Sequence, residues 1–121
     1  MRRSNTSLRG RFGIGKFQAK RRGLSWLLTL EEFSGLQGLP CHYCGLPYTV
    51  VQGAGLDRVD SDRGYERDNV VPCCWECNQA KHDNFHHDEM MIIGQAIRQV
   101  KQQRAMMALA MDLAGVDHAG A

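Results

Sequence analysis

Four cysteines in two C-x2-C pairs are the residues of this 121-residue chain best suited to hold a metal ion. Each pair forms a knuckle, a turn that presents two sulfurs to one point: Cys41 with Cys44, and Cys74 with Cys77. Two knuckles can surround a tetrahedral Zn2+ at Zn–S distances of about 2.3 Å. The sequence therefore predicts a structural zinc site with these four ligands.

Two neighbouring residues leave alternatives to this ligand set. Cys73 precedes the second knuckle, and a shift of one residue would make it a ligand in place of Cys74. Otherwise Cys73 is expected to be a small buried hydrophobe. His42, inside the first knuckle, is a second rival ligand. Disulfides fit less well, because no secretory segment directs the chain to an oxidising compartment.

The length suits one small domain, which a structural zinc would help to stabilise. No apolar run approaches the roughly 20 residues that span a bilayer, and the charged start lacks an apolar segment and a cleavage site. We therefore expect a soluble, cytoplasmic protein that is neither secreted nor membrane-bound.

Positive charge is concentrated at the start of the chain, although the net charge is only +2. Residues 1–22 contain no acidic residue and eight basic ones: Arg2, Arg3, Arg9, Arg11, Lys16, Lys20, Arg21 and Arg22. A basic segment on an acidic body is typical of chains that contact nucleic-acid phosphates. We expect this basic arm to bind DNA. The alternative is a solvated tail without a partner.

Local patterns predict an α+β fold in three parts. Residues 1–22 form the arm, flexible or ordered on DNA, with at most a short helix from Lys16 to Arg22. Residues 23–88 form a zinc-stapled core, and residues 89–121 form a terminal helix. Within the core we expect a helix opened by the capping box at Thr29–Glu32, strands at 48–51, 56–59 and 69–71 with a break at Pro72, and a helix at 77–82. The long helix is expected to run from about Asp88 to Ala114.

The segment between and around the knuckles resembles a known family. Asp57-Arg58, then Asn69 before Val70-Val71-Pro72, then Cys74-x-x-Cys77-Asn78-x-x-Lys81 is similar to HNH endonucleases of the ββα-metal (His-Me finger) type. The resemblance covers about residues 41–82. The preceding stretch from Lys20 to Phe33 also resembles lead-ins of phage-type members, which implies a bacterial or phage-infected cell.

The resemblance implies cleavage of DNA with one divalent metal ion. Asp57 and Asn78 would be its ligands, an oxygen-rich set suited to Mg2+ or Mn2+. The ion would hold the scissile phosphate and stabilise the leaving oxygen. Asn69 would brace the loop through its side-chain amide and so orient the catalytic strand.

Arg58 departs from the family pattern, because it stands where the family carries its histidine general base. A guanidinium cannot accept a proton from water. His82, one helical turn after Asn78, is an alternative base, and Asp60 and Tyr65 are weaker ones. Arg58 would otherwise clamp the phosphate while a metal-bound hydroxide attacks.

A third interpretation of Arg58 is that the site is inactive and that the domain is a zinc-containing DNA-binding module. A zinc-stabilised protein-interaction module is the remaining function class, and the basic arm speaks against it. These classes differ in two measurable properties, metal-dependent cleavage and salt-sensitive DNA binding.

The terminal helix carries an apolar stripe interrupted by Arg104: Ile93, Ile97, Val100, Met107, Met111 and Ala114. A stripe at this spacing can pair with another helix. It either packs on the helix's own domain or forms a homodimer, which would allow two sites to cut both strands.

Overall fold

The computed structural model describes residues 7–48 and 55–115. These form an α+β fold with four α-helices and one two-stranded sheet. The helices are α1 (Leu8–Arg21), α2 (Leu30–Gln37), α3 (Trp75–Lys81) and α4 (His87–Leu113), the strands are β1 (Gly55–Arg58) and β2 (Val70–Cys73), and a 3-10 turn spans Arg67–Asn69. Arg2, Arg3 and most of the strand predicted at 48–51 lie outside the described residues.

The two strands pair in antiparallel register, with Asp57 opposite Val71 and Leu56 opposite Pro72. The predicted break at Pro72 is wrong, since Pro72 lies inside β2. Each strand of a two-stranded ribbon has one free edge, where proline's missing N–H removes no ladder bond. The Pro72 carbonyl accepts a hydrogen bond from His42 N at 2.8 Å, which ties the first knuckle to β2.

Helix α1 begins at Leu8, well before the predicted start at Lys16, so the expected flexible stretch is helical from Leu8 onward. The Ser7 side chain caps it by accepting from Gly10 N. Phe12 packs edge-on against Trp26 and Phe33, with ring centroids 5.5 Å apart in both pairs. Such tertiary packing outweighs the low helix propensity of the glycines in this segment.

The capping box at Thr29 and Glu32 forms as predicted, with both reciprocal hydrogen bonds present. The long helix is also confirmed: α4 follows His86, which occupies its N-cap. Gly94 allows α4 to approach the first knuckle closely, because a Cβ there would lie 2.3 Å from the carbonyl oxygen of Tyr43.

Most of the buried apolar side chains of the described residues fall into two clusters. One contains all five cysteines together with Tyr43 and Met90, and Ile93 and Ile97 of α4 pack against it. The other consists of Leu28, Leu36 and Val70. Because the larger cluster is built mainly of cysteines, few large apolar groups remain to stabilise the fold without a metal ion.

The stripe on α4 divides into two halves. Ile93 and Ile97 pack on the chain's own core, whereas Val100 and Met107 are about half exposed. The first half of the stripe therefore packs on the domain itself, and the second half is left exposed to solvent.

Within the described residues, no helix is both long and apolar enough to cross a membrane.

Candidate functional site

The four predicted zinc ligands meet in one buried cluster. The Sγ atoms of Cys41, Cys44, Cys74 and Cys77 all lie within 4.8 Å of one another, and each residue is at most 5% exposed. Cys44 Sγ and Cys74 Sγ are 3.8 Å apart. A tetrahedron with Zn–S bonds of about 2.3 Å has S–S edges of about 3.8 Å. The donor set and its spacing therefore fit Zn2+.

The neighbouring candidates lie outside this four-sulfur cluster. Cys73 is fully buried beside it, and its thiol donates to Cys74 O at 3.4 Å. A hydrogen bond with Cys41 and burial raise the pKa of the Cys73 thiol, which keeps it protonated. His42 Nε2 instead lies 3.0 Å from His87 Nε2. Cys73 is thus the small buried residue that the sequence predicted.

Two cations of α4 lie beside the cysteine cluster, and no sequence pattern indicated either of them. Lys101 Nζ lies 3.1 Å from Cys74 Sγ and 3.9 Å from Cys44 Sγ. Arg98 donates to Cys44 O at 3.0 Å. Burial opposes protonation of Lys101, yet its contacts with Cys74 and Glu76 raise its pKa overall. Four thiolates around Zn2+ would carry net negative charge, which these two cations would offset, and their contacts couple α4 to the cysteine cluster.

Asp57 lies at the centre of β1 and is 8% exposed. Lys81 Nζ contacts both of its carboxylate oxygens, at 2.9 and 2.8 Å, and also the Arg58 carbonyl oxygen at 2.8 Å. The Tyr43 hydroxyl donates to Asp57 Oδ2 at 2.5 Å. Burial, and then this hydrogen bond, raise the pKa of Tyr43. The carboxylate is thus held by an ammonium group and a phenol.

Arg58 directs its guanidinium toward the β1–β2 loop, residues 59–69. It donates to Ser61 O at 2.7 Å and to Arg63 O at 2.9 Å, and it lies 5.6 Å from the centre of the Tyr65 ring. These contacts use the planar donor fork of arginine to hold loop carbonyls in place.

Asn69 holds the backbone of the same loop through hydrogen bonds of its side-chain amide. Its Oδ1 accepts from Asp60 N at 2.9 Å, and its Nδ2 donates to Asp60 O and Gly64 O at 3.0 and 2.9 Å. Asn69 is 1% exposed. This side chain therefore braces the loop through its amide and does not line the cavity described next.

The other four catalytic candidates line one cavity of about 270 Å³: Asp57, Arg58, Asn78 and His82. Asn78 is exposed on α3, His82 is exposed at the C-terminal end of α3, and Lys81 also lines the cavity. His82 has a φ of 36° and places Nδ1 3.3 Å from Asp83 Oδ2. The cavity thus combines a carboxylate, an amide, an imidazole and several cations.

Arg22 joins the basic arm to this cavity, a contact that the sequence did not indicate. It lines the cavity wall, and its Nη1 donates to the Tyr65 hydroxyl at 3.3 Å. A second cavity of about 420 Å³ shares Arg22, Leu56, Tyr65 and Asn78 with the first and extends along α1 to Arg11.

The remaining cations of α1 are mostly exposed. Arg9, Lys16, Lys20 and Arg21 are solvent-accessible, whereas Arg11 is half-buried and donates to Gln37 Oε1 at 3.2 Å. Helix α1 is therefore a positively charged wall beside the cavity, docked on the core through its apolar residues.

No family model matches this chain. It is 37% identical over 68 residues to an uncharacterized protein of Acanthamoeba polyphaga mimivirus, across 56% of this chain. The chain spans only 13% of the length of that relative.

A solved structure of the rare-cutting HNH restriction endonuclease PacI is similar, with a TM-score of 0.66 and 29% sequence identity. The similarity covers 74% of this chain and 75% of the PacI chain. The α+β fold of this chain therefore matches the fold of an HNH restriction endonuclease over about three quarters of its length.

Proposed function

We propose that this protein is a metal-dependent endonuclease that hydrolyses phosphodiester bonds in DNA. The observation that carries the proposal is the common cavity of Asp57, Asn78 and His82, in a fold shared with the HNH restriction endonuclease PacI. The cations Arg22 and Arg58 line the same cavity, as a site for a polyanion requires.

We assign two different roles to metal ions. Zn2+ in the cysteine cluster would be structural, because its four thiolate ligands leave no open position for substrate. Mg2+ or Mn2+ would be catalytic, with Asp57 and Asn78 as its ligands. The oxygen donors suit such a hard cation, although Lys81 contacts both Asp57 oxygens in the structure. A bound divalent ion would supply electrostatic stabilisation of the charge that develops on the phosphate.

The side chains of the cavity have separate tasks in this proposal. His82 accepts the proton of the attacking water, with Asp60 and Tyr65 as weaker alternatives. Arg58 contacts the phosphate from the loop side, and Arg22 contacts it from α1. Asn69 positions the loop that carries Ser61 and Tyr65, and so acts at a distance from the reacting atoms.

We propose that α1 binds the DNA backbone beside the cleavage site. Arg9, Lys16, Lys20 and Arg21 are exposed on this helix, and the exposed Arg22, which is its C-cap, lines the cavity. Arg11, although half-buried, borders the adjoining cavity. Arg2 and Arg3 lie outside the described residues, and their contact with DNA stays a prediction. Contacts of this kind position the substrate without reading its sequence.

We further propose that the open half of α4 mediates a homodimer. Val100 and Met107 of the stripe are 49% and 55% exposed on this half of the helix, and Met106, Leu109 and Leu113 are exposed on its other sides. A two-fold dimer would bring two cavities to one duplex and allow cleavage of both strands, whereas a monomer would nick.

Two further expectations stay predictions. One is that the protein acts in the cytoplasm of a bacterial or phage-infected cell. The other is that the chain divides into three parts at residues 22 and 88.

A zinc-containing DNA-binding module without activity is the second candidate function. Two observations favour it. Arg58 stands at the position where the general base is expected, and the Lys81 ammonium group contacts both carboxylate oxygens of Asp57, which the catalytic ion would need. The two functions differ in whether the bound DNA is cut.

The variant Asn78→Ala tests the assignment of the cavity. Asn78 is exposed, so its loss should leave zinc content and folding unchanged while metal-dependent cleavage falls by at least about 100-fold. Asn84→Ala, an exposed position outside the cavity lining, is the matched control. Full cleavage by Asn78→Ala would contradict the assignment of this cavity as the active site.

A further inference from the structure

Lys81 is a buried lysine whose ammonium group is surrounded by oxygen acceptors of the site. Its Nζ has three oxygen neighbours, the two carboxylate oxygens of Asp57 and the carbonyl oxygen of Arg58, all at 2.8–2.9 Å. Lys81 is 6% exposed and Asp57 is 8% exposed. An ammonium group has three hydrogens to donate, so each one has an acceptor here.

The oxygens around Lys81 Nζ are also the ones that a divalent ion would select. Hard cations bind carboxylate and backbone carbonyl oxygens, and Asp57 and Arg58 provide both kinds at one point. Asp57 Oδ2 also accepts a hydrogen bond from the Tyr43 hydroxyl, which uses one of its lone pairs. An ammonium group and a divalent ion cannot share this point, because two cations in contact repel each other.

We propose that Lys81 is a displaceable counterion of Asp57, which occupies the carboxylate in the metal-free protein and leaves it when a divalent ion binds. This inference rests on the proposed function, in which Asp57 is a ligand of the catalytic ion. It adds that the ion does not enter a free site but replaces a positive charge supplied by the chain itself.

The cavity gives the displaced ammonium group a place to go. Lys81 lines the cavity together with Arg22 and Arg58, and its flexible four-carbon stem allows the charge to move without movement of α3. A DNA phosphate in the cavity would be a second anionic partner for it. The measured association constant for the ion is then the intrinsic constant multiplied by the fraction of molecules in which Asp57 is free.

The experiment is a titration of the zinc-loaded full chain with Mn2+ in the absence of DNA, with free Mn2+ measured by electron paramagnetic resonance. Lys81→Met removes the competing charge and keeps an apolar stem. We expect this variant to bind Mn2+ at least about tenfold more tightly than the parent. Arg67→Met removes a positive charge from the exposed surface and should leave the Mn2+ affinity unchanged. Asp57→Asn in the Lys81→Met background should abolish the tight site.

Lys81→Met leaves the buried Asp57 carboxylate without its partner, so only protein with full zinc content and a cooperative unfolding transition is titrated. Lys81→Gln, which keeps a hydrogen-bond donor without the charge, carries the same expectation if Lys81→Met does not fold. Unchanged or weaker Mn2+ binding by the folded variant would overturn the proposal, as would tight binding that survives Asp57→Asn.

Cleavage by the parent protein is read separately. A parent that cuts DNA while its Lys81 variants bind Mn2+ no more tightly overturns the role of Lys81 and leaves the proposed function standing. If the parent cuts no DNA but the Lys81 variants bind Mn2+ more tightly at Asp57, the proposed nuclease function is overturned. The role of Lys81 as a displaceable counterion is then supported.

Discussion

Asn69 holds the backbone of Asp60 through both polar atoms of its side-chain amide, accepting from Asp60 N at 2.9 Å and donating to Asp60 O at 3.0 Å. The same Nδ2 also reaches Gly64 O at 2.9 Å. Because Asn69 is 1% exposed, water does not compete for these bonds. One side chain thus fixes both ends of the segment that carries Ser61 to the cavity wall.

Asn69→Ala should therefore destabilise the protein and misplace the loop. The variant removes three hydrogen bonds and leaves backbone groups of the loop without a partner, at a cost of about 1–3 kcal/mol for each one that stays buried. Urea unfolding of the zinc-loaded protein measures the change, with Asn84→Ala as the exposed asparagine control. An unfolding free energy equal to that of the parent would contradict the bracing role.

Replacing one zinc ligand should unfold the core. In Cys77→Ser the site loses a thiolate, and the binding free energy of a structural zinc is part of the folding free energy. Metal analysis and circular dichroism should find less than one zinc per chain and no cooperative transition.

Cys73→Ala is the matched control, because Cys73 is equally buried but lies outside the four-sulfur cluster. This variant should keep one zinc per chain and lose only the stability of a small cavity, about 1 kcal/mol. Loss of zinc from Cys73→Ala, with zinc retained in Cys74→Ser, would show that the ligand is Cys73.

Neutralising α1 should weaken DNA binding and its salt dependence. Deletion of the helix is a poor test, because Phe12 and Ala19 pack on the core. A variant with Arg9, Lys16, Lys20 and Arg21 changed to Gln removes four exposed charges and keeps the packing. The slope of log K against log salt should fall by up to about 3–4 units if all four contact phosphates. An unchanged slope would exclude α1 from the interface.

Arg58→His tests the position where the family carries its base. An imidazole with a pKa of about 6.5 is mostly unprotonated near pH 7.5, so it can accept a proton from water there. We expect cleavage near neutral pH to be supported or raised, and His82→Ala to matter less in this background than in the parent. Arg58→Ala, which loses the contacts to Ser61 and Arg63 without adding a base, is the control. Equal loss of activity in both variants would indicate that Arg58 acts as a loop brace.

Much of the fold could be predicted from the sequence because its signals are local. The knuckle spacing predicted the cysteine cluster, and Thr29 with Glu32 predicted the start of α2. The start of α1 was missed because it depends on Phe12 packing against Trp26, which lies in another part of the chain. The break predicted at Pro72 was wrong, because only the pairing of the strands shows that proline can lie at a free edge.

The contacts of the site were harder to predict than its residues. Asp57 was identified by resemblance, but its partners Tyr43 and Lys81 come from the first knuckle and from α3. Lys101 reaches Cys74 from α4 in the same way. Each of these contacts joins residues that are distant in sequence, and no local pattern indicates which charges meet after folding.

The central claim is that the protein cuts DNA with a divalent metal ion, and conversion of supercoiled plasmid tests it most directly. Zinc-loaded protein is incubated with plasmid alone, with Mg2+ and with Mn2+; the divalent ion is omitted, not chelated, in the first reaction, so that the cysteine cluster keeps its zinc. We predict nicked or linear DNA with 5′-phosphate ends only where Mg2+ or Mn2+ is present. Supercoiled plasmid that stays intact with both ions, while the protein binds it in a salt-sensitive manner, would contradict the claim and identify a DNA-binding module.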